Sequence, residues 1–517
     1  MLECIMKNKA PIFISSLNTN IPFVLQEAVR RQYILPLDLA FARKHSRAHV
    51  EADFVFLAVF SSLLRSGYPF LVIEKDRLCP SIPGVPEQCF YEYFLRLSKE
   101  LLSSLFVVKN NRIYLSSLYH TRENLFYKLS ILSKALPKYS VSDVKNDLLS
   151  EEQNQVFQKV FHSCFSLICG GPGTGKTFLA VQILLTLLRN HPQMRIAVVA
   201  PTGKATSHIR QKLSGYHVFE DKIYIQTIHR FLQEYAYKRR FIDFLLVDEG
   251  SMVTVELLHG LVNTLSGIRT ADAHILADNF IILGDAQQLP PIGLGAGNPL
   301  QDLITYFPEN TLRLQVSHRV KTDQIHTLSQ AILNRQVPPY TPLPSLSCTV
   351  SMIKNAYIQA FSSQTSLCVL TPMRHGAWGY LHLNHLVFQE MQKTYPDLPI
   401  PIMITERYAT WGVSNGDTGI LCPKTRKLLF RQCPAIDATI FSHYAYNYVM
   451  SVHKSQGSEY DCVIVIIPQG CSTFDVSMLY TAITRAKHSV TIFADESTLK
   501  EIIKKPHKYT YGEIKPS

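Results

Sequence analysis

Ser166-Leu167-Ile168-Cys169-Gly170-Gly171-Pro172-Gly173-Thr174-Gly175-Lys176-Thr177, continuing into Phe178 to Leu188, decides the fold. The first four residues form an apolar run suited to a strand buried on both faces. The next eight satisfy G-x-x-x-x-G-K-[ST], and the apolar stretch after them reads as a helix. Strand, glycine-rich loop and helix in this order make a phosphate cradle. Gly170, Gly171, Gly173 and Gly175, with Pro172 and Thr174 between them, let consecutive backbone N–H groups turn inward around phosphate oxygens. Lys176 is placed to reach β- and γ-phosphates and the Thr177 hydroxyl to ligate Mg²⁺, so the loop implies a nucleoside triphosphate with Mg²⁺.

Such a cradle needs a carboxylate on the metal side and an activator for water. Phe244 to Val247 is a second apolar strand, and it ends in Asp248-Glu249. Asp248 would hold Mg²⁺ through water, and Glu249 would polarise the attacking water. A third strand, Phe280–Leu283, ends in Gly284-Asp285-Ala286-Gln287-Gln288-Leu289-Pro290. Gln288 is suited there to donate to a γ-phosphate oxygen while accepting from water. The phosphoryl transition state also calls for a cation from the far side. Arg319, in Leu314-Gln315-Val316-Ser317-His318-Arg319, and Arg485, in Tyr480-Thr481-Ala482-Ile483-Thr484-Arg485-Ala486-Lys487, are the candidates.

Composition bounds the rest. The chain has 517 residues, 46% hydrophobic and 18% charged, which excludes a collagen-like, fibrous or mainly disordered protein. Lys and Arg outnumber Asp and Glu by 52 to 40, a net +12 that suits a phosphate-rich partner without specifying one. No apolar run approaches the roughly 20 residues that span a bilayer. Phe54 to Leu64 is shorter and is interrupted by serines, and Met1 to Thr19 lacks the basic-then-apolar layout of a secretory signal. A cytoplasmic location with no membrane partner is expected. The eleven cysteines include no C-x-x-C pair, and neither Cys164/Cys169 nor Cys462/Cys471 has a zinc or iron–sulfur spacing. They read as reduced thiols.

Along the chain, residues 1 to about 140 read as helical, with three- and four-residue apolar spacing in Leu37–Arg43, Phe54–Leu64 and Tyr91–Phe106. From Leu149 the pattern changes to strands alternating with helices: Ser166–Cys169, Arg195–Ala200, Phe244–Val247 and Phe280–Leu283. A second set comprises Leu367–Leu370, Tyr448–Ser451, Cys462–Ile467 and Ser489–Phe493. Two α/β blocks with parallel sheets are expected. Between Gly376 and about Ser442 short strands (Ile402–Thr405, Gly419–Leu421, Leu428–Arg431) predict a β module set into the second block. Pro338 to Pro344 reads as a loop.

The order of the motifs resembles that of superfamily 1 helicases. Leu149-Ser150-Glu151-Glu152-Gln153 resembles the family's upstream glutamine motif, in which Gln153 would read adenine. Ala200-Pro201-Thr202-Gly203-Lys204-Ala205 resembles motif Ia, and Thr227-Ile228-His229-Arg230 the DNA-contact motif after it. Asp248 to Met252 resembles motif II, Gly284 to Pro290 motif III, Val452-His453-Lys454-Ser455-Gln456-Gly457-Ser458-Glu459 motif V, and Tyr480 to Lys487 motif VI. The wording of Thr371-Pro372-Met373-Arg374, of Asn415-Gly416-Asp417-Thr418-Gly419 and of the motif V string is similar to the RecD-like subgroup, and Leu35 to Ala42 to its exonuclease V members.

The resemblance implies an α/β protein with two RecA-like P-loop motor domains, a mainly helical N-terminal domain and an SH3-like inserted module. The expected division is a partner-docking domain at 1–140, a first motor domain at 141–318 with a small insert about 205–240, a second at 319–375 and 441–517, and the module at 376–440. It implies an ATP-dependent helicase or translocase moving 5′ to 3′ on single-stranded DNA from duplex ends. RecB-like and RecC-like subunits of a heterotrimer are the implied partners, and any strand cutting would be theirs. Pro201, Thr202, Thr227, His229 and His453 would touch the DNA backbone, while Gly457 and Glu459 join the nucleotide site. Two departures stand out. Gly250 occupies a position where alanine is usual, facing the site without a catalytic group. Only 43 residues separate Lys204 from Asp248, so a strand-separating wedge there must be small. A stand-alone 5′–3′ helicase and an inert scaffold subunit are the alternative readings.

Overall fold

The computed structural model describes residues 21–505 except 48–49, 140, 142–144, 214–215, 217–221, 239–241, 266–275, 319–322, 407, 431–432 and 472–473. The N-terminal part is mainly helical, with helices Phe23–Arg30, Pro36–His45 and Glu51–Arg65 packed around Phe56, Leu57 and Phe60. It also holds a four-stranded antiparallel sheet, which the reading of the region as mainly helical did not include. Its strands are short: Phe70–Glu74, Arg77–Cys79, Phe106–Lys109 and Arg112–Leu115. Asn110 and Asn111 both take positive φ between the last two, as a two-residue hairpin turn requires. The run read as one helix, Tyr91–Phe106, is broken at Arg96–Ser98, and Ser98 caps a new helix by accepting from Leu101 N–H.

Helix Ser116–Leu132 does not stay with the N-terminal part. Leu125, Phe126, Leu129 and Leu132 enter the core of the first α/β block and pack beside helix Val255–Val262. That block is a six-stranded sheet in which every pairing is parallel, in the order Thr311–Leu314, Phe165–Gly170, Asn279–Gly284, Phe244–Val247, Ile196–Ala200, Ile223–Thr227. Alternate residues serve opposite cores. Leu167, Val199, Leu245 and Ile282 face one cluster, and Ile168, Val198, Leu246 and Ile281 face the other. This is why the central strands read as continuous apolar runs. The two edge strands, Ile223–Thr227 and Thr311–Leu314, are half-exposed and carry polar residues, so no such run marks them.

The interval expected to hold a small insert about 205–240 is core instead. Helix Gly203–Leu213, edge strand Ile223–Thr227 and helix Ile228–Lys238 fill most of it. Between them, 214–215 and 217–221 lie outside the described residues.

The second sheet is also parallel, in the order Thr341–Pro342, Ala486–Ala494, Tyr460–Ile467, Leu367–Thr371, Val449–Ser451. The segment read as β-like from Gly376 begins with a helix, Tyr380–Thr394. Asn384 on it donates to Val449 O and accepts from Val449 N–H, fastening it to the second sheet. A five-stranded antiparallel sheet follows, built from Ile400–Ile404, Thr418–Cys422, Lys427–Phe430, Cys433–Asp437 and Tyr444–Tyr446. Its Ile402, Leu428 and Ile436 share one apolar core with Val387, Val449 and Ile466. Among the described residues, no helix is long and apolar enough to cross a membrane.

Candidate nucleotide cleft and nucleic-acid face

Parallel sheets place ligands at the carboxyl ends of their strands. Three central strands of the first sheet end at Gly170, Val247 and Gly284, and the sequence candidates for phosphate chemistry follow directly. Gly173 and Gly175 take φ of 79° and 80°, left-handed values that glycine adopts without strain. Gly175 is thereby the N-cap of helix Lys176–Asn190. Lys176 Nζ donates to Gly170 O at 2.6 Å and Gly171 O at 2.9 Å, and Thr174 Oγ1 donates to Gly171 O at 2.9 Å. A side chain on Gly170 would meet Thr174 Oγ1 at 2.7 Å and Leu314 O at 2.8 Å, so this position requires glycine.

Gln153, expected to read adenine, is committed to the loop. Its Oε1 accepts from Ser150 N–H at 3.1 Å, closing a capping box, and its Nε2 donates to Thr174 O at 3.1 Å. The side chain is buried against Gly175. In this arrangement the glutamine fixes the cradle rather than presenting its amide edge to a base. Its neighbour Glu152 accepts from Gln315 and Val316 N–H, and His318 N–H donates to Gly173 O at 2.9 Å. The segment leading to Arg319 is therefore pinned beside the loop, while Arg319 itself lies outside the described residues.

Asp248 is buried and accepts from Glu249 N–H at 2.9 Å. Burial, and then the charge of Glu249, raise its carboxyl above the usual range. Glu249 sits at φ 54°, a left-handed conformation that is uncommon outside glycine and is found at constrained functional positions. Gly250 does not face the site, contrary to expectation. A Cβ there would lie 2.9 Å from Leu283 O and 2.5 Å from Ile282 Cγ2, so its missing side chain points into the adjacent strand. Close backbone approach, rather than chemistry, accounts for glycine there.

Lys176, Thr177, Asp248, Glu249 and Gln288 of the first block line one cleft of about 1370 Å³ together with Gly457, Glu459 and Arg485 of the second. Arg485 is buried, with Nε donating to Thr481 O at 3.1 Å and Nη1 to Ser458 O at 3.4 Å. The blocks are also stitched directly. Tyr480 Oη donates to Asp285 Oδ2 at 3.0 Å, Leu289 N–H to Thr481 Oγ1 at 2.8 Å, and Gln456 Nε2 to Leu289 O at 3.4 Å. Sequence reasoning missed Tyr480, although it lies in the same string as Arg485. The string alone carries no sign of a partner 195 positions away.

The expected DNA contacts lie farther along the same strand ends. Ala200 and Thr227 are register partners at the ends of the last two strands, so Pro201 and Thr202 sit beside Thr227 and His229. Thr202 Oγ1 accepts from Ala205 N–H at 3.2 Å, and His229 is exposed. His453 follows edge strand Val449–Ser451 of the second sheet, and burial lowers its pKa against the opposing charge of Asp475. Beside it, Lys454 Nζ lies 4.7 Å from the Tyr380 ring centroid. The turn of the antiparallel sheet reaches this face, for a Cβ on Gly203 would lie 2.8 Å from Ser414 Cβ.

Comparison with known proteins agrees with this geometry. An AAA domain family matches residues 153–294, and a UvrD-like helicase C-terminal domain matches 446–493. The RecBCD enzyme subunit RecD of Buchnera aphidicola subsp. Acyrthosiphon pisum is 25% identical, over 79% of this chain and 84% of that protein. RecD of Mycobacterium tuberculosis (strain ATCC 25618 / H37Rv) is 26% identical over 68% of this chain and 70% of its own. The ATP-dependent RecD2 DNA helicase of Deinococcus radiodurans is 26% identical over 66% and 48% respectively. Among solved structures, Bacteroides Pif1 bound to single-stranded DNA matches 70% of this chain and 95% of its own at a TM-score of 0.43 and 16% identity. Fold, motifs and relatives together define an ATP-dependent DNA helicase of superfamily 1, with paired α/β motor blocks around a P-loop. Within that superfamily its sequence is similar to RecD subunits and the RecD2 helicase.

Proposed function

We propose that this chain is the 5′–3′ motor subunit of a RecBCD-type exonuclease V complex, hydrolysing ATP to track single-stranded DNA from duplex ends. The observation that carries the reading is the shared cleft: Lys176, Asp248 and Glu249 on one block face Arg485 on the other. Lys176 and the loop amides bind the phosphates, Glu249 orients water, and Arg485, with Arg319 after the pinned segment, meets charge developing on the γ-phosphoryl group. Nucleotide held by both blocks favours closure and its hydrolysis favours opening, so each cycle advances the strand. Thr202, Thr227, His229 and His453 contact only the DNA backbone, which suits sequence-independent movement.

Thr177 and Asp248 fit Mg²⁺. Burial and Glu249 disfavour the Asp248 anion, and a bound cation would offset that cost. Among the described residues no cluster of three or more His, Cys, Asp or Glu could hold a metal. When bound, the ion would neutralise charge on the phosphates.

Polarity and partners rest on the kinship with RecD subunits. The test is strand displacement on duplexes carrying either a 5′ or a 3′ tail, with and without RecB- and RecC-like chains. Displacement only from the 5′ tail, and co-purification with both chains, is expected. Displacement from the 3′ tail would overturn the polarity, and full activity with no partner recovered would favour a stand-alone helicase.

A further inference from the structure

We propose that Tyr480 is a positioning residue for ATP hydrolysis, setting the Gln288 amide through Asp285. The inference rests on the ATPase reading above and deepens it. Tyr480 belongs to helix Val476–Ile483 of the second block and is 4% exposed. Its hydroxyl donates to Asp285 Oδ2 at 3.0 Å. The same oxygen accepts from Gln288 Nε2 at 3.3 Å, while Asp285 Oδ1 accepts from Gln287 N–H at 3.1 Å. Asp285 is thus a junction that takes bonds from both blocks, and a carboxylate only accepts, so its donors are oriented by it.

The consequence falls on Gln288. With its Nε2 turned to Asp285, its Oε1 is directed away, and it has no hydrogen-bond partner among the described residues. The side chain is only 6% exposed and lines the cleft with Asp248 and Glu249. A buried acceptor without a partner is costly unless something in the reaction occupies it, and water beside the γ-phosphate is such a donor. The Tyr480 ring also reaches the phosphate loop, for a Cβ on Gly171 would lie 3.4 Å from Tyr480 Oη. Withdrawal of the second block removes the Tyr480 donor that holds Asp285 Oδ2 from across the cleft, so the Asp285 carboxylate can turn and carry the Gln288 amide with it. Hydrolysis is thereby conditional on the second block being seated.

The experiment is DNA-stimulated ATPase of the full chain carrying Tyr480→Phe, alone and combined with Gln288→Ala. Tyr480→Phe is expected to lower kcat about tenfold, with KM for ATP within about twofold and a melting temperature lowered by no more than a few degrees. In the Gln288→Ala background the same change should lower kcat by less than about twofold, because its route is already cut. A merely structural tyrosine would cost the same factor in kcat in both backgrounds. Asp285→Asn removes the shared carboxylate and should reproduce the kcat loss should Tyr480→Phe fold poorly. Wild-type kcat in Tyr480→Phe, or equal losses in both backgrounds, would overturn the positioning role and leave the ATPase reading standing. A wild-type chain with no DNA-stimulated turnover would overturn both.

Discussion

The carboxyl edge of the first sheet has two halves. The strands ending at Gly170, Val247 and Gly284 deliver Asp248, Asp285 and Gln288, all buried, and this half is joined to the second block by side-chain bonds. The strands ending at Ala200 and Thr227 deliver Thr202, Thr227 and His229, which are half-buried or exposed. Chemistry on a phosphoryl group gains from groups held rigid and dry before the reaction begins. Tracking along any sequence needs contacts that form and break at little cost. On the proposed function one sheet edge would serve both, because its two halves differ in desolvation rather than in fold.

That contrast can be broken from either side. Glu249→Gln should leave ATP binding intact and lower kcat by about 100-fold or more, as expected when a water activator is lost. A ligand-binding titration beside a steady-state assay separates the two effects. Gly250→Ala should lower stability by about 1–3 kcal/mol, because the new Cβ meets the Leu283 carbonyl at 2.9 Å. Thermal unfolding reports it as a lower melting temperature, and an unchanged one would show that the strands can part there. On the open half, His229→Ala should weaken single-stranded DNA binding by less than about 1 kcal/mol, roughly fivefold or less. Fluorescence anisotropy across a salt series checks this, and a hundredfold loss would show that this half is as preorganised as the other.

Legibility in the sequence follows the same division. The central strands could be read because burial on both faces leaves unbroken apolar runs, and the phosphate loop because its backbone geometry demands glycine at fixed spacing. Edge strand Ile223–Thr227 could not, since its exposed face carries polar residues. The N-terminal sheet left one signal, Asn110-Asn111 between two short apolar runs, which the surrounding helical spacing obscured. Gln153 was found from its place in a motif, yet its partners Ser150 and Thr174 turn its amide toward the loop. The Tyr480–Asp285 bond had no local signature at all, because only the meeting of the two blocks creates it.

The central claim is that Lys176 and the cleft around it hydrolyse ATP in response to DNA. The direct test compares wild-type and Lys176→Gln chains for ATPase with and without single-stranded DNA, alongside DNA binding by anisotropy. The account predicts DNA-stimulated turnover in the wild type, turnover at background in the variant, and comparable DNA affinity in both. Turnover that persists in Lys176→Gln would contradict it.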